Sequence, residues 1–131
     1  MRRKSLSLRS RFESFAHATA GLKDMLLTEP NAWLHAAMTC LVFAMSWWLQ
    51  IGSVKFALIV FAVIAVWVAE AFNTVLELTV DIATSKAQSE AAKRAKDIAA
   101  AAVLIASAGA SLIGLLVLGS PFYRRISYFF S

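Results

Sequence analysis

The chain has 131 residues, 60% of them hydrophobic, and a formal net charge of +5. Ordinary soluble domains are about 45–50% apolar, so this composition excludes them and points to a small all-α membrane protein with room for one domain, residues 1–131. The single cysteine, Cys40, excludes a disulfide framework within one chain, and its place in an apolar run makes it a small buried hydrophobe rather than a thiolate site.

Residues 1–9 read as a basic tail. Residues 10–27 form an amphipathic pattern: Phe12, Phe15, Leu22 and Leu26 recur at heptad-like spacing, with Thr19 in the gap and Arg11, Glu13, His17 and Asp24 elsewhere on the wheel. Such a helix lies in the membrane surface or packs on the bundle. Thr28-Glu29-Pro30-Asn31 breaks it, because proline cannot continue a helix without a kink. The first transmembrane helix is expected at 32–49, with Trp47 and Trp48 at its outer interface. His35 lies near its start and reads as a hydrogen-bonded helix residue, with a ligand role as the alternative. Gly52 and Ser53 make the turn.

The second transmembrane helix spans 54–81, about 40 Å at 1.5 Å per residue, which exceeds a hydrocarbon core of about 30 Å. Its end near Glu77 and Asp81 should therefore reach the interface, while Glu70 sits deeper. Trp67 reads as packing or lipid contact. Residues 82–92 form a polar loop or frayed helix, and the third transmembrane helix spans 91–118, stopped by Gly119, Ser120 and Pro121. Its Ala102, Ala106, Ala110 and Gly114 form a series of small residues that lets helices approach closely. An aromatic and basic interfacial tail, 119–131, completes the chain.

Charge placement sets the expected topology. Arg2, Arg3, Lys4, Arg9, Arg11 and Lys23 precede the first apolar run, and Lys86, Lys93, Arg94 and Lys96 lie between the second and third, against Lys55 alone in the short link. The positive-inside rule makes the N-terminus and the second loop cytoplasmic and the short Gln50–Lys55 loop external; Arg124 and Arg125 count against this. No cleavable signal peptide is expected, since no apolar core or A-x-A-like site follows the first basic cluster.

Glu70, Asn73, Glu77 and Asp81 share one narrow stripe of an otherwise apolar helix. Each carboxylate costs on the order of 2.5–3.5 kcal/mol to insert, so something cationic should meet them. Glu70 and Glu77 are about 10 Å apart along the axis and are unlikely to clasp one ion together. Asn73 is one turn from each. Glu29, on the same side of the membrane, could supply a second carboxylate near Glu77, and two carboxylates with phosphate oxygens suit Mg²⁺. Lys93 and Lys96 at the start of the third helix could meet phosphates; basic residues are also common at a cytoplasmic boundary. There is no GxxxxGK(S/T) motif, glycine-rich kinase loop, Cys/His cluster or GxSxG elbow, which excludes conventional soluble kinase folds. From the residues alone, the stripe permits a metal-and-phosphate site at the membrane surface, an ion or proton path, or a helix-packing device.

EAFNTVLELTVD (Glu70 to Asp81) followed by AKRAKDIAAAAVLIA (Ala92 to Ala106) resembles the bacterial integral-membrane diacylglycerol kinase and undecaprenol kinase family. That family's pattern is roughly E-x-x-N-S/T-x-x-E-x-x-V-D and then A-K-D-x-x-A/S-A-A-V-L, and every fixed position is filled here. The resemblance runs from about Phe12, through Gly21, Leu22 and Glu29, to about Gly114. It implies a homotrimer of three-helix subunits with an N-terminal surface helix, and transfer of the γ-phosphate of MgATP to a lipid hydroxyl, at sites shared between subunits. By position, Glu70 would be the catalytic base, Glu29 and Glu77 would hold Mg²⁺ and the nucleotide, Lys96 and Asp97 would contact the nucleotide, and Asn73 and Asp81 would organise the site. The sequence departs from the family at Pro30, Ala32 and Trp33 and over Thr84–Ser89, while Asn31 and His35 resemble the undecaprenol kinase branch.

The expected function is therefore a lipid kinase making phosphatidic acid from diacylglycerol, with undecaprenol as the alternative acceptor. A non-enzymatic ion- or proton-conducting subunit is the remoter alternative. ATP, a membrane lipid and further copies of the chain are the expected partners, and no nucleic acid. One subunit of three spanning helices looks too thin to enclose a charged site.

Overall fold

A computed structural model describes residues 8–85, 87 and 89–128. The basic tail up to residue 7, Lys86, Gln88 and the last three residues lie outside the described residues. The described chain is all-helical: α1 (Leu8–Thr28), α2 (Pro30–Trp48), α3 (Ser53–Ala83) and α4 (Glu90–Ser127). Helices α3 and α4 are long and apolar enough to cross a membrane. The 19-residue α2 falls short of them because Pro30, Asn31 and His35 dilute its apolar run.

The break before α2 occupies one residue. Glu29 is extended, at φ −101° and ψ 113°, because the ring of a following proline disfavours the helical region for the residue before it. Pro30 then opens α2, where its missing N–H removes nothing from the ladder. The helix thus begins two residues before the expected Ala32. Glu29 makes no side-chain capping bond, which leaves its carboxylate available.

At the far end of α2, Gln50 N–H donates to the Trp47 carbonyl and Ile51 N–H to the Ser46 carbonyl. This paired closure requires a left-handed residue, and Gln50 supplies it at φ 50°. Gly52 is extended and caps α3, and Ser53 is already helical. At the start of α4, the Ser89 hydroxyl accepts from Ala92 N–H, satisfying one of the donors that a helix start leaves free.

The buried residues of α3 are Ile59, Ala62, Val66, Glu70, Asn73 and Thr74. Their spacing puts them on one face, so the core stripe and the polar stripe are the same stripe. Toward the Trp48 end it is apolar: Ile59 packs with Val117 and Leu118 of α4, flanked by Val42, Phe43 and Met45 of α2. Helix α3 packs most widely against α4. The outward faces carry Phe61, Ile64, Leu104, Ile105, Leu115 and Leu116, all exposed, as expected of surfaces facing lipid or other copies. On α1 only Met25 is buried, and Phe12, Phe15 and Leu22 are exposed.

Several expectations are corrected. Helix α4 does not stop at Leu118 but continues through Gly119, Ser120 and Pro121 to Ser127, so most of the expected tail is helical. Pro121 forfeits one backbone bond. Contacts beyond it hold the last turns: Phe122 packs edge-on against Trp48, and the Arg125 guanidinium lies 5.9 Å from the Trp48 ring centroid. Cys40 is exposed, not buried. In the small-residue series Ala102 is exposed while Ala106, Ala110 and Gly114 are half-buried. A Cβ at Gly114 would meet nothing within 4 Å, so no close approach occurs there within one chain. Trp67 does more than pack: its Nε1–H donates to Thr39 Oγ1 across α2 and α3.

Candidate functional site

The polar stripe resolves into an enclosed part and an open part. Among the described residues Glu70 is the largest fully buried side chain, 0% exposed, although one subunit was expected to be too thin to achieve this. Neither of its carboxylate oxygens has a hydrogen-bond partner among the described residues. His35 comes closest, with Nε2 3.5 Å from Glu70 Oε2. One turn along α3, Asn73 Nδ2 donates to Glu77 Oε1 at 2.9 Å, which orients a half-buried carboxylate. Asn73 Oδ1 is buried and unpartnered.

Glu29 approaches the same region from the α1–α2 junction. Partial burial, and then the negative charges of Glu77 and Glu70, hold its carboxyl above the ordinary value of 4.5. Among the described residues no group of three His, Cys, Asp or Glu side chains is gathered to hold a metal. Glu29 and Glu77 could therefore contribute at most two carboxylates to a Mg²⁺ site, with phosphate oxygens and water completing it.

The open part lies at the α3–α4 turn. Lys96 pairs with Asp81 between the two helices. Lys93 Nζ lies 2.6 Å from Asp97 Oδ2 within one turn of α4. These side chains, with Thr84 and Ser89, line a cleft of about 690 Å³. Its size and its lysines suit a polyphosphate. Both lysines are ion-paired within the chain, so a nucleotide would have to exchange these pairs for its own contacts.

The stripe's carboxylates thus meet different partners: Glu70 an imidazole, Glu77 an amide and Asp81 an ammonium. The structure groups Glu29, Glu70, Asn73 and Glu77 together, and Asp81, Lys96 and Asp97 together. Sequence reasoning missed His35 as the neighbour of Glu70 and Lys93 as the partner of Asp97. The i, i+4 spacing of Lys93 and Asp97 was a usable signal. Nothing in the sequence signals which α3 residue His35 meets.

The family model for prokaryotic diacylglycerol kinase matches residues 16–118, a segment containing every residue of both groups. An undecaprenol kinase from Bacillus subtilis is 35% identical over 106 residues, covering 81% of this chain and 85% of the relative. A diacylglycerol kinase from Synechocystis is 32% identical over 108 residues, covering 82% of this chain and 62% of the relative.

Proposed function

The chain belongs to the prokaryotic diacylglycerol kinase family, and from that membership we propose that it is an ATP-dependent membrane lipid kinase whose acceptor is diacylglycerol and whose product is phosphatidic acid. The observation that carries the site assignment is the shared face of α3, where an enclosed Glu70 is followed by the Asn73–Glu77 bond and then by the Asp81–Lys96 pair.

Each group has a task that its surroundings suit. Glu70, shielded from water, takes the proton of the lipid hydroxyl as its oxygen attacks the γ-phosphorus. Asn73 holds Glu77 in place. Glu29 and Glu77 hold Mg²⁺, which when bound supplies positive charge against the phosphates. Lys96 and Asp97 engage the nucleotide in the open cleft, and Asp81 returns Lys96 to its resting position. Phosphoryl transfer depends mainly on positioning and charge neutralisation, and this division of labour supplies both. Three spanning helices per chain, a homotrimer and a site facing the cytoplasm of a bacterial inner membrane complete the reading. The open cleft and the exposed apolar faces of α3 and α4 support assembly with further copies.

Undecaprenol is the second acceptor reading, favoured by the relative that is matched over the larger share of its length. Transfer from γ-labelled ATP in mixed micelles, with each lipid supplied separately, decides between them. Labelled phosphatidic acid supports the first reading and labelled undecaprenyl phosphate the second. Absence of Mg²⁺-dependent product from both lipids overturns the assignment.

A further inference from the structure

A buried base must be emptied after every turnover. The proton taken from one lipid hydroxyl has to leave before the next arrives, and neither oxygen of Glu70 reaches water. Moving that proton as an unaccompanied charge through an apolar medium is costly. What lies beside Glu70 therefore decides whether it can act repeatedly.

His35 is the titratable side chain in contact with it, with Nε2 3.5 Å from Oε2. The imidazole is 12% exposed where Glu70 is 0% exposed, so within one chain it is the less enclosed of the two groups. Its Nε2 is buried and has no hydrogen bond, and so is not committed elsewhere. The ring is held in place. Its edge meets Trp67 at 6.3 Å between centroids, Trp67 Nε1–H donates to Thr39 Oγ1, and Thr39 Oγ1–H donates to the His35 carbonyl. This loop of contacts ties α2 to α3 at the level of Glu70.

Other charged groups facing the pair are few. Glu29 feels the charge of Glu70 through space, and Glu77 is turned to Asn73. Helix α4 carries no Asp, Glu, Lys, Arg or His between Ile98 and Phe122.

We propose that His35 is the proton acceptor that resets Glu70. The inference rests on Glu70 being the base. The lipid oxygen bonds to the γ-phosphorus, the bond from that phosphorus to the bridging oxygen breaks with its electron pair going to ADP, and the hydroxyl proton goes to Glu70. The same proton then passes from Glu70 Oε2 to His35 Nε2, the ring gives up its Nδ1 proton to water, and tautomer exchange frees Nε2 again before the next turnover. His35 acts through Glu70 and is therefore a positioning residue. Turnover requires an imidazole free to accept a proton.

Steady-state rates of wild type, His35→Gln, His35→Ala and Glu70→Gln, measured between about pH 5 and 9 with whichever of the two lipids wild type phosphorylates, test this. His35→Gln keeps the size and polarity but holds no proton. It should lower kcat about 100-fold, leave KM for ATP within about twofold, and lose the acidic limb of the wild-type profile. Added imidazole should restore His35→Ala by about tenfold or more, in proportion to its neutral form. If both His35 variants keep the wild-type kcat and profile while Glu70→Gln is inactive, the proposal falls and Glu70 stands as the base. If Glu70→Gln keeps the wild-type rate, the reading of Glu70 falls as well. Should the His35 variants fail to assemble, nitrogen-15 imidazole spectra of wild type and Glu70→Gln decide. The Nε2 titration should change when the carboxylate is removed, and identical titrations overturn the proposal.

Discussion

Glu70 and Asp81 lie on the same face of α3, about three turns apart, yet they handle negative charge by different means. Glu70 is sealed from water beside an imidazole that makes no aligned hydrogen bond with it. Asp81 is about a third exposed, in direct contact with Lys96. An enclosed, under-partnered carboxylate is poised for proton chemistry. A half-exposed ion pair is weak and exchangeable, which suits a residue that releases a cation to an incoming phosphate. Along one helix face the surroundings thus change from enclosed to open.

The contrast breaks most visibly at the enclosed end. Glu70→Gln should lower kcat by about 10²–10⁴-fold, with helicity and assembly in detergent unchanged by circular dichroism and gel filtration. Asp81→Asn, three turns away, should leave kcat within about tenfold and act mainly on KM for ATP.

Next in size is the junction between the two regions. Because the Glu29 carboxyl is held above 4.5 by burial, Glu77 and Glu70, lowering the pH into the range just above that value protonates it early and weakens a Mg²⁺ site. The Mg²⁺ concentration for half-maximal rate should rise by up to about tenfold per pH unit there, and Glu29→Gln should abolish this dependence while raising the requirement throughout. The stability sign is opposite. A carboxyl with a raised folded-state value contributes stability below its unfolded value and loses it as pH rises through the folded one. Metal-free protein should therefore soften from mildly acid toward neutral pH in thermal melts, and Glu29→Gln should not.

At the open end the effects shrink. Lys96→Met should raise KM for ATP by about tenfold, roughly 1.4 kcal/mol, with a smaller change in kcat. Lys93→Ala removes one exposed i, i+4 pair, and thermal stability should change by less than about 0.5 kcal/mol.

Much of the fold was legible because it follows from local periodicity. Phe56 to Asp81 had to be one long helix, and Glu29-Pro30 had to interrupt another. Continuation of α4 past Pro121 was not legible. Local rules stop a helix there, while the contacts of Phe122 and Arg125 with Trp48 join segments far apart in sequence. The exposure of Cys40 was hidden for a related reason: an apolar run does not reveal which of its faces meets another helix and which meets lipid.

The site was legible to the same depth. Helical spacing alone places Glu70, Asn73, Glu77 and Asp81 on one stripe, and it sets Glu70 and Glu77 about 10 Å apart along the axis. That much the sequence determined by itself, since a helix's 100° step fixes its own faces. Asn73 meets Glu77 within one turn of α3, but only the tertiary structure decided which partners Glu70 and Asp81 meet. His35, Asn73 and Lys96 reach the stripe from α2, from α3 itself and from α4. The rotation and offset of one helix against another depend on packing over the whole interface, and residue spacing within one helix carries no information about its neighbour's register.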